Sequence, residues 1–140
     1  NKVWKIDAND NVSALCDGTY IATNTQNRTS RATGKQDLLY VIHAVTDWNT
    51  YTTTISSSVY NAATGAQLSN NFLQTPANTT EYTFAPICMD VNPANGDIYV
   101  CSDNGSNGYA KPGYINVYTS NGAFSKRIAT GIHPYGVIFK

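Results

Sequence analysis

Charge is what this chain is short of. Lysine, arginine, aspartate and glutamate make up 13% of its 140 residues, about half the share of an average globular protein. The nine basic and nine acidic residues cancel to a formal charge of zero. Such a chain has no basic stripe to neutralise phosphates, which argues against nucleic acid as a partner. Helix signals are as scarce. Segment 59–68 comes nearest, but it carries Thr64-Gly65 at its centre, a turn signal. No apolar run approaches the ~18 residues of a membrane-crossing helix.

The groups that perform chemistry are few. His43 and His133 are the only histidines, and neither lies in a G-x-S-x-G or related context. His43 falls within an apolar strand and reads as a core residue. His133 precedes Pro134 in a turn. Glu81 is the only glutamate, so paired carboxylates for glycoside hydrolysis would have to come from aspartates that mostly flank turns. The three cysteines, Cys16, Cys88 and Cys101, have no C-x-x-C spacing for zinc. The stretch 103–108 opens like a calcium loop but lacks the terminal bidentate glutamate. No catalytic set, metal or cofactor follows from these residues.

Asn, Thr, Ser, Gly and Tyr fill the space left by charge. Apolar residues still reach 41%, too many for disorder, and they recur in short runs at strand spacing. The sequence predicts an all-β fold with strands at 2–8, 12–15, 18–23, 38–45, 51–60 and 66–72. A second group follows at 84–91, 97–102, 114–118, 123–129 and 135–139. Turns fall at Asn9-Asp10-Asn11, Ala63-Thr64-Gly65, 92–96 and Ser120-Asn121-Gly122, and in the 92–96 turn Gly96 makes positive φ cheap. If Asn92 pairs with Asp97, Cys88 stands opposite Cys101, and Met89 and Val91 face Val100 and Ile98. That register admits either a cross-strand disulfide or two buried thiols.

The strands repeat. Turns at Asn9, Thr64 and Asn121 are spaced by 55 and 57 residues, and Asp37-Leu38-Leu39-Tyr40-Val41 precedes Asp97-Ile98-Tyr99-Val100 by 60. Self-similarity at that period, four strands per unit, predicts a β-propeller segment of four-stranded antiparallel blades; the alternative is a β-sandwich. The partial propeller divides as the end of one blade (1–18), a blade (19–73), a second blade (84–129) and the inner strand of a further one (133–139). Propellers close with ~4–8 blades, so about two and a half require partners: the remaining blades of the same protein or other copies of this chain. The opening Asn1-Lys2-Val3-Trp4 reads as a strand met in mid-domain, so processing or a longer parent chain is expected.

Residues 89–100, Met89-Asp90-Val91-Asn92-Pro93-Ala94-Asn95-Gly96-Asp97-Ile98-Tyr99-Val100, resemble the "D-P-x-x-G-x-I-Y-V" hairpin of YVTN-type surface-layer bacterial propellers and related domains of unknown function. Lys111-Pro112-Gly113-Tyr114-Ile115-Asn116-Val117-Tyr118, Asn121-Gly122 and Gly131-Ile132-His133-Pro134 are similar to that family's last blade. The likeness covers 84–140 closely and 37–73 in outline. Asn92 stands where those repeats usually carry Asp, and the first blade lacks the N-P-x-x-G turn. The resemblance implies an exported protein, extracellular, cell-surface or periplasmic, of a kind that binds ligands or partners more often than it catalyses.

In a propeller the longer connections gather on one face, and long loops on a rigid scaffold carry function. Here they bring together Trp48, Tyr51, Tyr82, Tyr109, His133 and Tyr135 with Asp47 and Asp103, an aromatic and polar set suited to a glycan or another flat small molecule. The alternative for each is local: rings that cap blade edges, and Asp or Asn that hold turns. The expected function is therefore non-enzymatic binding through this face. The alternatives are a lyase or hydrolase with its catalytic residues mainly on other blades, and a structural surface-layer module.

Overall fold

The computed structural model describes residues 2–23, 37–105 and 110–140. Among the described residues ten strands form three antiparallel sheets, in which every hydrogen-bonded neighbour is also the neighbour in sequence. β1 (Lys2–Ile6) and β2 (Val12–Asp17) make a hairpin. β3 (Tyr20–Thr23), β4 (Leu38–Asp47), β5 (Thr52–Asn61) and β6 (Gln67–Asn70) make the first four-stranded sheet. β7 (Phe84–Val91), β8 (Ile98–Asn104), β9 (Pro112–Tyr118) and β10 (Phe124–Ile132) make the second. The all-β expectation holds, and ten of the eleven predicted strands are present within a few residues. The loop 24–36 lies outside the described residues.

The sheets stack by their faces. Tyr40, Ile42 and Val59 of the first sheet pack against Met89, Val91, Ile98, Val100 and Tyr118 of the second, with Phe72 and Leu73 of the connector at the seam. β3 runs beside β7. The opposite face of the first sheet is covered by the hairpin: a Cβ on Gly18 would meet both Val3 and Val41, and Lys5 Nζ donates to the Ala63 carbonyl at 2.6 Å. β4 is thus enclosed from both sides, which explains why Leu39 to Ile42 is an unbroken apolar run rather than an alternating one.

Turn chemistry follows the residues. Asp7 Oδ1 accepts from the amides of Asn9 and Asn11 and closes the first hairpin. The turn after β7 has Gly96 at φ +80°, its amide donating to the Asn92 carbonyl. The register beyond it pairs Cys88 with Cys101, Met89 with Val100 and Val91 with Ile98, as the sequence implied. All three cysteines are free thiols.

One predicted strand is corrected. No ladder forms over 133–139 among the described residues. The segment instead lies along the outer face of β8. His133 meets Asp103, the Gly136 amide reaches the Cys101 sulfur, and the Phe139 ring stands edge-on to Tyr99 at 5.0 Å. The inner strand of a further sheet needs a hydrogen-bonding neighbour from that sheet, and none stands there among the described residues.

The connector 71–83 joins the two sheets. The Phe72 and Leu73 amides donate to the Ser57 carbonyl and hydroxyl, and the Gln74 amide donates to the Gly122 carbonyl at 2.9 Å. Gly122 sits at φ +84°, and a Cβ there would be driven into the Phe72 carbonyl. Gly122→Ala therefore loses about 2–3 kcal/mol from backbone strain and collision. Gly131→Ala, where a Cβ would meet nothing within 4 Å, stays within about 0.5 kcal/mol. Urea denaturation of the two variants checks the contrast.

Candidate functional site

At one end of the stacked sheets the edges part into a cleft of about 780 Å³. β3 begins here, β4 ends, the β4–β5 turn follows, β7 begins and β8 ends, so the walls come from both sheets and the connector. Thr19, Tyr20, Thr46, Tyr51 and Thr53 line one side, and Thr75, Asn78, Thr83 and Asp103 the other. Ile55, Phe84, Pro86 and Ile87 give it apolar surface. A smaller cavity of about 230 Å³ shares Ile55, Thr75 and Phe84 with it. Among the described lining residues Asp103 is the only carboxylate, and no lysine or arginine joins it.

Asp103 is buried, and its two oxygens lie 3.1 and 3.0 Å from His133 Nδ1. The His133 ring stacks on Tyr135 with centroids 5.8 Å apart. Tyr20 stands close by. Burial raises its hydroxyl above the usual phenol value, and the nearby Asp103 and Tyr135 push the same way. Two of the non-glycine residues at positive φ belong to this region, Tyr51 at +53° and His133 at +52°. A bulky residue held there costs about 1–3 kcal/mol and persists only where its surroundings fix it, as they do at ligand clamps.

The eight residues singled out from sequence separate. Tyr51 and Asp103 line the cleft, while His133 meets Asp103 and stacks on the exposed Tyr135, neither being part of the cleft wall. Trp48, 76% exposed, stands in the β4–β5 turn beside Tyr51 and is not part of the cleft wall. Asp47 holds that turn, its Oδ1 accepting from the Asn49 amide at 2.8 Å. Tyr82 is corrected as a contact residue: it is 2% exposed. Its ring lies 3.2 Å beneath the Arg127 guanidinium and edge-on to Tyr114, and its hydroxyl accepts from Asn116 Nδ2 at 2.7 Å. Tyr109 lies outside the described residues.

Sequence reasoning missed the hydroxyl wall. Thr19, Thr46, Thr53, Thr75 and Thr83 sit at strand ends and in the connector, where threonine signals only extended backbone. Their shared end of the molecule was nevertheless implied by the strand order. His43, read as a core residue, is half-buried on β4 opposite Ser56.

Comparison with protein-family models, curated proteins and solved structures finds no match to this chain.

The role of Tyr82 is checked by removing its hydroxyl. Tyr82→Phe leaves the wholly buried Asn116 amide without that acceptor and costs about 1–3 kcal/mol in chemical denaturation.

Proposed function

We propose that the chain is a run of β-propeller blades from an exported bacterial surface protein, and that it binds a neutral, hydroxyl-rich ligand such as a glycan in the cleft between its two four-stranded sheets. Two meander sheets of four strands, stacked face to face with β3 beside β7, support the blade reading. The YVTN-like hairpin at 89–100 supports the placement at the cell surface. The observation that carries the binding function is the cleft. Its volume falls in the ~300–1,000 Å³ range of small-molecule sites. Its threonine hydroxyls, Asn78 and the aromatic rings of Tyr20 and Tyr51 meet what a sugar presents, polar edges and an apolar face.

A glycan array followed by calorimetry on the protein tests this. Tyr51→Ala and Asp103→Asn each lower the affinity of a captured glycan by about tenfold or more, the loss of one ring contact or one charge-assisted hydrogen bond. Unchanged affinity in both variants would remove the cleft from consideration.

A second reading, a hydrolase or lyase completed by residues on other blades, is favoured by one observation, the Asp103–His133 pair beside the cleft. Such a pair orients an imidazole for proton transfer. Turnover abolished by His133→Gln while ligand binding survives would select it.

Blade stacking has a consequence for association. Trp4, Ile6 and Val12 are exposed together on the outer face of the hairpin, as Ile128 and Ile132 are on β10. These surfaces are those that neighbouring blades of the same protein, or further copies of this chain, would cover. Sedimentation of the 140-residue chain shows self-association that Trp4→Lys with Ile6→Lys weakens by about tenfold or more.

A further inference from the structure

On the outer face of the second sheet, Cys88 of β7 and Cys101 of β8 are direct cross-strand partners. Directly opposed residues in an antiparallel pair have Cα atoms about 4.5–5.5 Å apart, inside the roughly 4.4–6.8 Å that a disulfide spans. Opposed in register, their side chains project from the same face of the sheet. Their surroundings differ. Cys88 is partly open to solvent, while Cys101 is wholly buried and lies beneath the Gly136 amide of the C-terminal segment. A hydrogen bond from Cys101 holds the Cys88 thiol below its ordinary value, and giving that bond raises Cys101. One sulfur is poised to attack; the other is placed to follow.

We propose that Cys88 and Cys101 form a redox site, in which a small-molecule disulfide oxidises the pair to a cross-strand bridge between β7 and β8. Cys88 thiolate attacks one sulfur of the oxidant, breaking its S–S bond and releasing a first small thiolate, which takes up the Cys88 proton. Cys101 then loses its proton, attacks Cys88 Sγ and displaces the second small thiolate, which takes up that proton. Two protein thiols are oxidised, and one disulfide is reduced to two small thiols. The bridge ties the strand that brings Ala85 and Ile87 to the cleft to the strand that brings Asp103. It also fixes the sheet face on which 133–139 rests. Cys16, on β2 opposite Val3, takes no part: burial raises its thiol, and its Cα partner is not a cysteine.

The experiment incubates the protein with oxidised glutathione, quenches with acid, and alkylates under denaturing conditions. The expected result is one alkylated cysteine, Cys16. Cleavage at Asp90 and Asp97 then yields the peptides bearing Cys88 and Cys101 joined, with a mass two hydrogens short of their sum. Three alkylated cysteines, a stable glutathione adduct on Cys88, or dimers linked through Cys88 would each overturn the proposal. A melting scan gives the second readout. The oxidised protein melts about 5 °C above the reduced one, and the difference vanishes in Cys88→Ser. Equal melting temperatures for the two states, with the bridge present, would overturn its structural role.

Discussion

The seam between the two four-stranded sheets rests on the connector that crosses it. Residues 72–74 give their amides to Ser57 on one sheet and to Gly122 on the other, and Thr75 shares a hydrogen bond with the Tyr118 hydroxyl deep in the seam. The Phe72 and Leu73 amides, half-buried at the seam, find their acceptors within the protein. Once these bonds form, the facing apolar sets, Tyr40 and Ile42 against Val100 and Tyr118, have one alignment rather than several. The cleft depends on the same crossing. Its floor and one wall are the connector and the start of β7, set wherever the seam sets them.

Much of the fold was legible in the residues. Asn92, Asp97 and Gly96 defined a turn, the turn defined the register, and the register placed Cys88 against Cys101 without any three-dimensional information. The unbroken apolar run of β4 matches its burial from both sides. The segment 133–139 was not legible, because apolar residues spaced for a strand are equally suited to lying flat along another strand's side chains. Period alone cannot say whether an extended segment hydrogen-bonds to a sheet or covers it. Pro134 was the useful hint: it has no amide to donate to a ladder, and it rests where a Cβ on Gly113 would be.

The site was legible by location more than by membership. Tyr51 and Asp103 line the cleft at the strand ends, and His133 stands against Asp103. Tyr82 belongs to the same stretch of sequence but turns inward, because a phenol can be satisfied inside the protein by Asn116 and by a guanidinium stacked on its ring. Asp47 has the same chemical type as Asp103 and a different task. One carboxylate closes a turn through the Asn49 amide, and the other meets an imidazole brought from thirty residues away. Residue type proposed both; only the partner separates them.

The uncrossed order of the strands also bears on how the molecule assembles. Each sheet is a meander whose strands pair only with their sequence neighbours, so most ladder contacts close short loops at small entropic expense. Face-to-face packing is the long-range event. Each sheet is accordingly a unit that can take shape from its own turns and dock afterwards. A chain built this way can be lengthened by one more such unit without rethreading those already folded.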